Sequence, residues 1–197
     1  MESGIQFDKD STAVLIMDYQ NDIVGMLPEE KRSLLLGGAA EILDTARAAG
    51  LRVIYIAVRF REGYPEVSMR NKSFSGLKTG KRMLEGTLGA EIHTQVSPKR
   101  GEIVLSKRRV GAFSTTELET LLRAGNVTNL VLLGISTSGV ILSTVRRAAD
   151  MDYGLTVISD ACADPDEEVH RVLMEKVFPR QVNVLTRREF VETLKSA

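Results

Sequence analysis

The chain has 197 residues, 43% of them hydrophobic, which is enough apolar mass for one domain at the upper end of the common size range. Its 26 Lys and Arg balance 26 Asp and Glu, so no global charge attracts nucleic acid or an anionic membrane, and the absence of tryptophan weakens any platform for stacking bases. The lone cysteine, Cys162, excludes an intrachain disulfide and fits a reducing compartment.

Residues 1–8 lack a basic segment followed by an apolar core, so no signal peptide is expected, and no apolar run approaches the roughly 20 residues that span a bilayer. A cytoplasmic protein is the default expectation. Residues 13–17 read as a first strand ending at Asp18. Residues 39–49 read as a helix that stops at Gly50, a left-handed C-terminal residue. A second strand, 53–58, ends at Arg59. The stretch 60–100 is too long for a plain connection and is expected to be a lid, an oligomer contact or a surface excursion. A third strand, 103–105, ends near Lys107. Ser114-Thr115-Thr116-Glu117 reads as a capping box for a helix that stops near Gly125. A fourth strand, 130–133, ends at Gly134, and residues 138–152 form the next helix. A fifth strand, 155–158, ends at Asp160. Pro165 then opens a helix through Phe178, with Asp166, Glu167 and Glu168 favouring the dipole of its first turn. A short sixth strand, 182–185, precedes a helix capped by Thr186-Arg187-Arg188-Glu189.

Strands one, two, four and five are nearly continuous in apolar residues, as expected where both faces of a parallel sheet are covered. Their alternation with helices predicts right-handed crossovers and a three-layer α/β/α domain spanning 1–197.

In such a sheet, ligands bind beyond the carboxyl ends of the strands. Asp18, Arg59 and Lys107 arrive at that edge, and the fourth strand delivers a turn of small polar residues, Ser136, Thr137, Ser138 and Gly139. An acid, two bases and a set of backbone N–H groups are the ingredients of a small-molecule site. His93 and His170 have no partner at metal-ligand spacing, so neither a metal nor a cofactor is expected. Residues 86–89 and 37–38 fit no phosphate-binding glycine motif.

The segment Leu15-Ile16-Met17-Asp18-Tyr19-Gln20-Asn21-Asp22 resembles the first-strand motif of the isochorismatase-like hydrolases. Lys107-Arg108-Arg109-Val110-Gly111-Ala112-Phe113 is similar to their K-x-x-x-[SG]-A-F segment. Gly134-Ile135-Ser136-Thr137 matches their G-[VI]-x-T turn, and Thr144 fits the threonine that follows. The resemblance implies that Asp18 is the acid/base and that Lys107 completes the site. It also implies a six-stranded mostly parallel sheet, a homodimer or homotetramer, and a cis peptide, here between Ser136 and Thr137. Arg59, Gln20, Phe113, Ser136, Thr137, Ser138 and Gly139 are the substrate-contact candidates.

Val140 is the departure. Most members carry a nucleophilic cysteine there, and valine has no lone pair with which to attack. Ser138 lies two residues early and Ser143 a helical turn late, where it is expected to face the packing surface. Cys162 is expected to be inert packing. Isochorismatases proper also lack the cysteine and cleave a vinyl ether, with the aspartic acid as general acid and water as nucleophile. The resemblance therefore implies a hydrolase acting without a covalent intermediate on a small, anionic molecule, with Arg59 or Lys107 meeting the substrate's carboxylate. The alternative is a catalytically silent relative used for binding or assembly.

Overall fold

The computed structural model describes residues 5–196. Met1, Glu2, Ser3 and Gly4, where the signal-peptide reading begins, lie outside the described residues. Six strands, β1 (Thr12–Met17), β2 (Arg52–Val58), β3 (Ile103–Lys107), β4 (Asn129–Ile135), β5 (Gly154–Ala163) and β6 (Asn183–Leu185), form one sheet in the order β3-β2-β1-β4-β5-β6. Every neighbouring pair is parallel. The helices are α1 (Asn21–Val24), α2 (Glu29–Ala48), α3 (Lys72–Thr79), α4 (Leu118–Ala124), α5 (Leu142–Ala149), α6 (Glu167–Val172) and α7 (Arg187–Lys195).

The three layers follow from the strand period of two. On one face Leu15, Met17, Leu130 and Leu132 pack with Leu118, Leu122, Val145 and Ala148 of α4 and α5. On the other, Val14, Ile16, Val131 and Leu133 pack with Leu36, Ile42 and Leu43 of α2 and Phe190 of α7. All six residues of β1 are buried, which is why its sequence runs apolar without alternation. The chain leaves β1 for β2 on one side and returns from β3 to β4 on the other. The switch point between β1 and β4 is where an open parallel sheet gapes.

Several boundaries differ from the sequence reading. Helix α2 begins at Glu29, ten residues before the expected start at Ala39. Gly37 and Gly38 lower helix propensity by about 1 kcal/mol each, but tertiary packing overrides it: a Cβ on Gly38 would meet Arg187 Nη1 at 3.2 Å. Gly50 has the expected left-handed φ of 75°. The capping box at Ser114 does not form. Thr115 sits at φ 68° and its hydroxyl accepts from the Arg108 N–H at 3.0 Å, so α4 starts only at Leu118. Asp166, not Pro165, opens α6, its carboxylate accepting from Glu168 and Val169 N–H. The helix expected through Phe178 gives way to a π turn at Leu173–Val177. The Thr186–Glu189 capping box forms as expected.

The 60–100 excursion carries α3 and two single 3₁₀ turns, Leu88–Ala90 and Thr94–Val96. It has its own apolar cluster, with Phe60 against Phe74 at 5.4 Å and Tyr64 at 5.6 Å. Backbone bonds between Phe60 and both Met83 and Glu85, each 2.9 Å, fold it back on itself.

Candidate active site

Asp18 follows the last residue of β1 and adopts φ 62°, a left-handed conformation that Asp tolerates better than most residues. Its N–H still donates to Ile56 O at 2.8 Å. Lys107 ends β3, two strands away in the sheet order. Lys107 Nζ meets Asp18 Oδ2 at 2.8 Å, with side-chain exposures of 2% and 6%. The same ammonium donates to Val110 O at 2.8 Å and Arg109 O at 3.2 Å. An ammonium has three donors, and all three are used within the protein. Lys107 is therefore saturated, and the role of meeting a substrate carboxylate does not fit it.

Asp18 Oδ1 is different. It is buried and has no hydrogen-bond partner among the described residues. Burial pushes the Asp18 carboxyl above its ordinary value of 3.8, while the Lys107 ammonium and, less strongly, the nearby Val58 N–H, itself donated to Gln20, pull it down; the net direction is up.

A cavity of about 540 Å³ opens beside this pair. Asp18, Ser136, Ser138, Gly139 and Val140 line it, together with Ser73 from α3 and Ser143 from α5. Residues Thr137–Ile141 form a π turn between β4 and α5. The glycines here answer to close approach: a Cβ at Gly134 would fall 2.9 Å from Met17 O, and one at Gly139 2.7 Å from Ser136 Oγ. A cis peptide joins Ile135 to Ser136, one bond earlier than the resemblance implied.

The remaining candidates divide. Val140 is 2% exposed and presents its isopropyl group to both the cavity and the core. Ser138 is held by Asp164, whose Oδ2 accepts from its N–H at 2.8 Å and its Oγ at 2.6 Å. Thr137 is fully buried, with Oγ1 2.7 Å from His170 Nδ1, and does not line the cavity. Gln20 is fully buried too: its amide donates to Val58 O at 2.8 Å and Ala90 O at 2.7 Å, and accepts from Val58 N–H at 2.7 Å. Its capacity is spent on architecture. Arg59 turns toward the excursion, donating to Ala90 O at 3.3 Å and pairing with Glu91 at 3.2 Å. Phe113 lies against Tyr153 and the core rather than the cavity. Ser143, expected to face packing, lines the cavity because the turn's extra residue rotates α5.

Asp164, His170 and Ser73 escaped the sequence reading as site residues. The fifth strand was read as ending near Asp160, but β5 runs to Ala163 and delivers Asp164 at its end. His170 reads in the sequence only as a candidate metal ligand without a partner. Among the described residues no group of three or more His, Cys, Asp or Glu is arranged to hold a metal ion. Burial pushes the Cys162 thiol up to about 12, consistent with a packing role.

A family model described as the isochorismatase domain matches residues 12–189. A ureidoacrylate amidohydrolase, RutB, of Caulobacter vibrioides is 31% identical over 183 residues, covering 81% of this chain and 80% of that protein. A probable inactive nicotinamidase of Arabidopsis thaliana is 31% identical over 166 residues, covering 81% of this chain and 84% of that protein. The crystal structure of a cysteine hydrolase from Pseudomonas syringae pv. phaseolicola superposes with a TM-score of 0.87 over 98% of this chain and 96% of that one, at 21% identity, which speaks to fold alone. The chain belongs to the isochorismatase family of hydrolases.

Proposed function

We propose that this protein hydrolyses a small, uncharged molecule, with Asp18 as general acid and no covalent intermediate. The observation that carries the reading is Asp18 Oδ1, a buried carboxyl oxygen with no hydrogen-bond partner among the described residues, beside a cavity of about 540 Å³. Burial raises the pKa of this carboxyl, the direction that favours the protonated form a general acid needs. Lys107, saturated by its three acceptors, fixes the other oxygen and aims Oδ1.

By the family resemblance Val140 occupies the position of the nucleophile. Vinyl ethers are then favoured over amides. Asp18 protonates the vinyl carbon, water adds to the oxocarbenium carbon and returns a proton to Asp18, and the hemiketal collapses to a carbonyl compound and an alcohol. An anionic substrate, which needs Arg59 or Lys107 as its partner, fits poorly. Among the described residues, Asp18 is the sole charged side chain lining the cavity. Serine hydroxyls at positions 73, 136, 138 and 143 suit an uncharged, hydrogen-bonding substrate. We also propose a homodimer or homotetramer, to which Met69 and Leu88 of the excursion, 65% and 80% exposed, supply apolar contact surface; sedimentation equilibrium reads the state.

A panel of uncharged vinyl ethers, amides and ureides tests the activity. Vinyl ether turnover is expected, with kcat/KM reduced about 10²–10⁴-fold in a folded Asp18→Asn variant. Full activity in that variant overturns the role of Asp18. The likeness to a probable inactive nicotinamidase favours a second reading, a silent ligand-binding relative. Saturable binding without turnover of any panel member supports it.

A further inference from the structure

On the far side of the 137–141 turn from Asp18 lies a second, larger cavity of about 770 Å³, a volume typical of small-molecule sites. Leu27, Leu34 and Leu35, from the start of α2 and the loop before it, and Ala163 from the end of β5 make its apolar walls. Leu34 is 71% exposed, an unusual place for a large aliphatic side chain with nothing over it. The charges around the cavity are unequal. Lys31 is paired with Glu167, and Arg171 with Glu168 and Glu175. Asp160 and Asp164 also line it, and neither has a salt-bridge partner among the described residues. Asp160 accepts a backbone N–H from Arg187 at 2.6 Å, and Asp164 one from Asp166 at 3.2 Å, but among the described residues neither carboxylate makes an ion pair, and the lining holds four carboxylates against Lys31 and Arg171.

We propose that this cavity is a second binding site, taking a small amine with an apolar body, its ammonium facing Asp160 and Asp164 and its hydrocarbon on Leu27 and Leu35. The inference goes beyond the hydrolase reading and does not depend on it. Apolar walls exclude a fully hydrated ion, and the two uncompensated carboxylates repel an anion. A hydrocarbon amine satisfies both.

The site is also joined to the Asp18 cavity. Asp164 holds Ser138 by two hydrogen bonds, and Ser138 lines the other cavity. His170, on the wall of the amine cavity, meets Thr137 of the same turn at 2.7 Å. An ammonium drawing on Asp164 competes with Ser138 for that carboxylate, so occupancy registers at the turn.

Benzylamine, with benzyl alcohol and benzoate as charge controls, tests this by amide chemical-shift titration of the ¹⁵N-labelled protein. Saturable shifts at Leu35, Ala163 and Ser138 are expected with benzylamine, with affinity about tenfold above that for benzyl alcohol and no saturation by benzoate. Asp160→Asn, at an exposed position where the amide oxygen can still accept the Arg187 N–H, and Asp164→Asn are each expected to weaken benzylamine about tenfold. Equal binding of benzoate, shifts centred on Asp18 and Val140, or the absence of saturation overturns the proposal. So do shifts at Leu34 that track protein concentration without amine, because a second copy of the chain then covers the groove.

Discussion

Lys107 Nζ and Asp18 Oδ2 meet at 2.8 Å in a region where both side chains are almost wholly buried, and they arrive there from β3 and from the end of β1. The other oxygen of Asp18 is left without a partner among the described residues. One carboxyl group thus has an oxygen held by the protein and an oxygen left free. Most of the behaviour expected of this protein follows from that division.

Under the proposed chemistry, the pH dependence of turnover reports on the free oxygen. A general acid must be protonated, so kcat/KM should fall as pH rises through the raised pKa of Asp18. The Lys107 ammonium opposes that upward shift. Lys107→Met removes the opposition, and in a folded variant the descending limb should move to higher pH. A limb that moves to lower pH, or does not move, contradicts the pairing. The same substitution leaves a carboxyl without its ion-pair partner and should lower stability by up to about 3–5 kcal/mol if the group stays charged, less if it neutralises. Chemical denaturation measures this.

Val140→Cys places a thiol on the cavity wall near Asp18. Loss of buried methyl volume is modest, and a cost of about 1 kcal/mol is expected. The variant should gain sensitivity to iodoacetamide and form a covalent adduct with amide or ureide substrates, read as a mass increase on acid quench. The natural chain should show no adduct under the same quench. An adduct on Ser138 or Ser143 of the natural chain would sink the non-covalent reading.

Gln20→Leu separates architecture from recognition. The side chain spans Val58 and Ala90 with three hydrogen bonds, all buried. Replacing it strands backbone groups without partners, at about 1–3 kcal/mol for each that stays dry. Thermal denaturation should record a large loss of stability. An unchanged Tm with a raised KM would instead return Gln20 to the substrate.

Acid stability depends on Glu102. Burial pushes this carboxyl up, but hydrogen bonds from Arg47 at 2.8 Å and from the Lys99 N–H at 2.7 Å outweigh it, and its pKa falls below the ordinary 4.5. A depressed folded pKa contributes stability that is fully present above 4.5 and lost as pH falls through the folded value. Glu102→Gln should therefore be less stable than the natural chain near neutrality, with the difference shrinking in acid. Asp18, raised on folding, has the opposite sign: its contribution is present below 3.8 and lost as pH rises through its folded pKa.

The sheet was legible in the sequence because its strands are apolar on both faces, and the meeting of Asp18, Lys107 and the 136–140 turn followed from strand ends and from motif order. What each polar group does at that edge was not legible. Gln20, Arg59, Thr137 and Ser138 are all polar and near the site, yet Gln20 and Arg59 face the excursion, Thr137 is claimed by His170, and Ser138 is tied to Asp164 at the cavity wall. Such allegiances depend on contacts between residues distant in sequence. Asp164 was missed because Ser159 and Asp160 interrupt the apolar run of β5 and hide its continuation to Ala163. The early part of α2 was missed because the helix-breaking cost of Gly37 and Gly38 is local, whereas the packing that offsets it comes from α7.

The isopropyl group at position 140 also bears on how this protein is to be inhibited. Electrophilic warheads designed against thiol enzymes find no sulfur on this cavity wall. Blocking it falls to reversible compounds that fill this cavity and accept a hydrogen bond from the one carboxyl proposed as its acid.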